Sequence, residues 1–159
     1  KVGYSASQVT LLFLITYALN WVFAERIGQL IGRFGERRAL TVEYIGLIMV
    51  FIAYGLVENA TFAAFLYILD HMFYAMAIAI STYFQKISNP RDIASSAGVS
   101  FTIGHIAAVV IPAALGVVWI GSHTLVFYIG AIFALLSLIS AQCVPRLPSP
   151  GHETKLLVL

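Results

Sequence analysis

The sequence predicts an all-α, polytopic transmembrane helix bundle with five spanning helices, and three observations predict it. Of 159 residues, 60% are apolar or aromatic and 10% are charged, whereas an average soluble domain carries about 25% charged residues. The mean hydropathy of +0.93 suits a chain whose main solvent is lipid. The apolar residues also fall into five long runs, each sufficient at about 1.5 Å per residue to cross about 30 Å of hydrocarbon. Runs of this length without period-2 alternation select helices over a closed barrel, the other structure that satisfies its backbone in lipid.

The first span is expected from about Ser5 to Ile31 and the second from Ala39 to Val57. The third covers Thr61 to Ile87, the fourth Ile93 to Trp119 and the fifth Thr124 to Val144. A tail over residues 145–159 carries Pro145, Pro148, Pro150 and Gly151 and cannot continue a helix. The first run is too long for a cleavable signal and no small-residue cleavage site follows it, so further amino-terminal sequence is expected upstream of Lys1.

The connections alternate in character. Arg33-Phe34-Gly35-Glu36-Arg37-Arg38 joins the first two spans, and Lys86 to Asp92 joins the third and fourth. The other two connections, Glu58-Asn59-Ala60 and Ile120 to His123, are short. Placing the basic loops and the tail in the cytoplasm puts eight of nine Lys and Arg residues on that side, with Lys1 outside. The positive-inside rule thus orients the carboxyl terminus toward the cytoplasm of a plasma membrane, here read as a bacterial inner membrane.

The charges form no basic stripe, which removes nucleic acid as a partner. The single cysteine, Cys143, excludes an internal disulfide and a multi-cysteine metal site. No metal or other cofactor is expected. Gly98-Val99-Ser100-Phe101-Thr102 begins like a nucleophile elbow but lacks the closing glycine, and the sequence holds no His-Glu-x-x-His, phosphate-binding or dinucleotide motif. An enzyme is therefore not expected.

Gly28-Gln29-Leu30-Ile31-Gly32-Arg33-Phe34-Gly35-Glu36-Arg37-Arg38 resembles the signature loop of the major facilitator superfamily, G-x-L-a-D-R-x-G-R-K. Gly28, Leu30, Arg33, Gly35 and Arg37 match in place, while Gly32 stands at the acidic position and Glu36 at a basic one. Gly35 permits a tight reversal, and Arg33, Arg37 and Arg38 suit an anionic membrane surface. Glu36 and Glu43 are expected in or near the first turn of the second span, where negative charge is favoured. The fourth span adds a weaker likeness to an antiporter-type motif through Gly98, Ala107, Ile111-Pro112 and Gly116, with two of its glycines replaced. The resemblance implies a cytoplasmic latch and five of the six helices of a carboxyl-terminal half, the eighth to twelfth of twelve. It implies a missing amino-terminal half as partner.

Small residues recur every four positions on the fourth span at Gly104, Ala108, Pro112 and Gly116, a pattern that permits close helix contact. Pro112 removes one backbone hydrogen bond and is expected to bend that helix. Gly28 and Gly32 repeat the pattern on the first span.

Charge at membrane depth is expensive, about 2.5–3.5 kcal/mol on insertion scales, and marks pathways. Asp70 is the only acidic residue expected far from both interfaces, and it shares a face of the third span with Tyr67, Tyr74 and Ser81. His71 is expected to point away from it. His105 lies near the middle of the fourth span, and Asn20, with Tyr17 one turn earlier, in the inner half of the first. Asp70, His105, Tyr67, Tyr74 and Asn20 are the candidate ligands for a substrate or a proton. Asp70 can alternatively serve as a buried hydrogen-bonding residue, and His105 can simply bond a carbonyl.

The expected function is secondary active transport of a small molecule by alternating access, with protons as the candidate coupling ion. The rival reading is a membrane scaffold or receptor subunit with transporter-like architecture that moves nothing.

Overall fold

The computed structural model describes residues 4–146 and 148–155. Its described residues form helices α1 (Ala6–Phe34), α2 (Glu36–Leu56), α3 (Ala60–Tyr74), α4 (Ile78–Ile87), α5 (Ile93–Gly121) and α6 (His123–Gln142). A 3₁₀ turn at Ala75–Ala77 joins α3 to α4, so the two make one interrupted span. Five helices, counting Ala60–Ile87 as one, are long and apolar enough to cross a membrane. Large apolar side chains such as Leu14, Trp21, Ile103, Val109 and Ile132 lie exposed on their flanks. A surface this apolar belongs in lipid, and the chain is an integral membrane protein.

Local chemistry sets the helix ends. Ser5 and Gln8 form a reciprocal capping box at the start of α1, while the Asn59 and Ser122 side chains accept the Phe62 and Leu125 N–H groups at the starts of α3 and α6. The expected loop at Arg33–Arg38 is instead a one-residue break. Helix runs to Phe34 and resumes at Glu36, because Arg and Glu are good helix formers and Gly35 alone reverses the chain at φ +84°. Arg33 rests against the Phe34 ring.

The most extensive helix contact joins α2 and α6, antiparallel. Its register is fixed at three levels. Thr124 Oγ1 reaches the Gly55 carbonyl at 3.4 Å, Gly130 faces the Phe51 ring, and Gln142 Nε2 donates to Thr41 Oγ1 at 3.0 Å. The glycines that permit close approach are Gly46, Gly55 and Gly130. A Cβ on Gly46 would lie 2.5 Å from the Phe73 ring, and one on Gly55 would lie 2.8 Å from Tyr128. Helix contact in lipid depends on such close van der Waals fit, because apolar surface gains nothing by leaving lipid tails.

The small-residue stripe expected to pack on the fourth span does not do so among the described residues. A Cβ at Gly98, Gly104 or Gly116 would meet nothing within 4 Å, and neither would one at Gly28 or Gly32. Pro112 sits inside α5, which continues unbroken to Gly121. No α5 residue is fully buried, and its main contact is with α6.

A buried apolar cluster closes the Gly35 end, with Ile31, Leu40, Met76, Ala79, Ala141 and Val144 at its centre. Glu36, only 2% exposed, pairs there with Lys86 at the end of α4. The tail folds back beneath this end. Lys155 N–H and Thr154 Oγ1 donate to the Cys143 carbonyl, and the Tyr83 hydroxyl donates to the Glu153 carbonyl. The Gly151 N–H donates to the Glu153 carboxylate at 2.6 Å and holds that carboxyl below its ordinary range. The turn is thus favoured at neutral pH and loosens as pH falls through that lowered value.

Candidate polar site at membrane depth

Asp70 lies ten residues into α3, about 15 Å from its start. It keeps company with groups from three helices. Its side chain is 25% exposed, and Oδ2 lies 3.7 Å from Nδ1 of His71. His71 therefore does not point away from Asp70, as the sequence suggested. Its Nδ1 bonds the Tyr67 carbonyl at 3.0 Å, one turn back, which swings the ring along the helix and toward the carboxylate. A carbonyl only accepts, so Nδ1 is the donor in this bond.

Tyr67 stacks against His71 with ring centroids 4.2 Å apart and takes the edge of Phe13 from α1 at 5.8 Å. Its hydroxyl is buried and has no hydrogen-bond partner among the described residues. Tyr54 of α2 is within electrostatic reach of Asp70 and Tyr67, and Tyr17 of α1 is within reach of Tyr67. Leaving a buried hydroxyl unsatisfied costs about 1–3 kcal/mol, and native proteins tolerate it where a ligand or water completes the bond. A carboxylate, an imidazole and an open phenol thus converge within the membrane-crossing part of the bundle.

The other sequence candidates are distributed differently. Tyr74 is 68% exposed on the open side of α3. Asn20 is half-buried on α1, three residues beyond Tyr17. His105 is exposed on α5, its ring 3.8 Å from Phe101 and its Nδ1 on the Phe101 carbonyl, so it is not brought to Asp70. Ser81 lies exposed on α4.

No protein-family model matches this chain, and neither does a curated protein or a solved structure. Function is therefore read from the geometry. Gly28, Leu30 and Arg33 lie exposed on α1, Gly35 makes the turn, and Arg37 is half-buried in the first turn of α2. Glu36, at a position where the signature pattern has a basic residue, joins the start of α2 to the end of α4 through Lys86. Glu43 is a site residue that sequence reasoning missed. It is 2% exposed, and its Oε2 has no hydrogen-bond partner among the described residues. Helix α2 starts at Glu36 rather than Ala39, which moves Glu43 from near the first turn to about 10 Å along the helix.

Proposed function

We propose that this chain forms most of the carboxyl-terminal half of a major-facilitator-type secondary transporter. The full protein moves a small molecule by alternating access, coupled to protons, in a plasma membrane of bacterial type with the tail in the cytoplasm. The observation that carries the reading is the Asp70–His71–Tyr67 cluster, where Asp70 and His71 are partly exposed at membrane depth beside a buried, unpartnered phenol. The signature-like pattern around Gly35 supports the family, and the exposed faces of α1 and α5 supply surface for a second half.

Two experiments test this proposal. Reconstituted full-length protein, screened against a library of small solutes, should accumulate at least one solute when a pH gradient is imposed and lose that accumulation when the gradient is collapsed. Accumulation indifferent to every ion gradient would exclude secondary transport. Reporters fused after Arg38, after Asp92 and in the tail should read cytoplasm, and those near Asn59 and Ser122 should read outside. A map with the Gly35 turn outside would overturn the orientation and the signature-loop assignment together.

A further inference from the structure

The buried carboxyl of Glu43 plays no part in the cluster around Asp70. Seven residues on a helix return to within about 20° of the same direction, so Glu43 faces the side on which Glu36 meets Lys86 of α4. The antiparallel register locates it further. Gly46 abuts Phe73 and Glu36 pairs with Lys86, which sets Glu43 level with the 3₁₀ turn Ala75–Ala77. A 3₁₀ segment inside a long span often marks a hinge. A carboxyl with an unsatisfied oxygen is thus buried against the one interruption of regular α-helix in the third span.

Among the described residues, the surrounding groups do not supply a counter-charge. Tyr44, next in sequence and within electrostatic reach, is a neutral phenol. On α4, Lys86 is engaged by Glu36 and the Tyr83 hydroxyl by the Glu153 carbonyl. On α3, Asp70 and His71 approach each other about one turn before the 3₁₀ segment. Arg33 at the end of α1 rests on Phe34, and Gln142 of α6 is uncharged and bonded to Thr41. Leu40 and Tyr44, near Glu43 on α2, line an open, mostly apolar cavity of about 560 Å³ with Tyr83, Phe133 and Ser140, and Glu43 itself does not line it.

We propose that Glu43 is a second proton-binding site, whose occupancy is linked to the geometry of the Ala75–Ala77 hinge. Oε2 takes a proton from water when the contact around it opens and returns it, with no other bond made or broken. The protonated form satisfies burial against the closed hinge. The ionised form needs donors or water, and it obtains them where the α2–α3/α4 contact opens. The coupling role of this site rests on the transport reading, but its existence does not.

The test is infrared difference spectroscopy on full-length protein in lipid nanodiscs during a pH step, without substrate. A carboxylic C=O band should titrate in the wild type, persist in Asp70→Asn, disappear in Glu43→Gln and shift in Glu43→Asp. Amide exchange at residues 75–79 should depend on pH in the wild type and lose that dependence in Glu43→Gln. A wild type with no titrating band, or a band unchanged by both Glu43 substitutions, overturns the proposal. Because Glu43→Asp retains a carboxyl, its band is read even if the glutamine variant does not fold. Absence of gradient-driven uptake in the wild type would defeat the transport reading alone and leave the infrared result standing.

Discussion

Asp70→Asn in the full-length protein is expected to abolish the gradient-driven component of uptake while leaving folding and solute binding in place. Asparagine keeps the shape of aspartate and a hydrogen-bonding side chain but cannot gain or lose a proton at physiological pH. The surroundings make the distinction sharp. His71 stands 3.7 Å away, and the Tyr67 hydroxyl close by has no partner, so an amide finds polar company and the bundle is not left with a buried orphan. Proton exchange is what the substitution removes. Uptake with and without an imposed pH gradient, beside equilibrium binding on the same preparation, measures it. Gradient-driven uptake at the wild-type level in Asp70→Asn would make Asp70 a structural hydrogen-bonding residue and remove it from the site. His105→Gln is expected to have a far smaller effect, because its imidazole bonds the carbonyl of its own helix.

The largest structural effect is expected at Gly46. A Cβ there would lie 2.5 Å from Phe73 ring atoms, inside any permitted contact. Gly46→Val must therefore push α3 away from α2 or force Phe73 off its rotamer, a loss of about 1–3 kcal/mol. Gly104→Ala in the same chain meets open space and removes a flexible residue from a helix interior, so it should be neutral or stabilising by up to about 1 kcal/mol. Thermal unfolding midpoints in detergent check both. Trimming the ring in the double variant Gly46→Ala/Phe73→Leu should recover much of the stability that Gly46→Ala alone loses, because the two positions are in contact. Equal midpoints for Gly46→Val and wild type would refute the packing described for α2 and α3.

These residues also show what was legible in the sequence. The spans could be read because lipid demands about twenty apolar residues in a row, a signal carried by composition and independent of neighbours. The break at Gly35 was visible for the same kind of local reason, although its flanks continue as helix where a loop was expected. Packing was not legible. The four-residue stripe at Gly104, Ala108, Pro112 and Gly116 has the right period but no described partner. Gly46, Gly55 and Gly130 are isolated glycines whose role depends on Phe73, Tyr128 and Phe51 from distant sequence. Periodicity reports a face, and only tertiary structure reports what meets it.

The candidate site divides along the same line. Asp70, Tyr67 and their shared face follow from helical spacing alone. The approach of His71 depends on a rotamer set by the Tyr67 carbonyl, and the contributions of Phe13, Tyr17 and Tyr54 depend on how three helices assemble. Glu43 was hidden by a shift of three residues in the start of α2 and by a 3₁₀ turn that no residue pattern announces.

Alternating access is the central claim, and it can be measured without knowing the substrate. Tyr74 is 68% exposed on the face that carries Asp70, and the only cysteine in this chain is Cys143. The full-length protein with native cysteines, Cys143 included, replaced by serine and carrying Tyr74→Cys is treated with a membrane-impermeant thiol reagent. Right-side-out and inside-out vesicles are labelled separately. Position 74 should be modified from both sides, in each case in competition with a reagent trapped on the other. Modification from one side only, or from neither, would contradict alternating access and favour a static membrane scaffold.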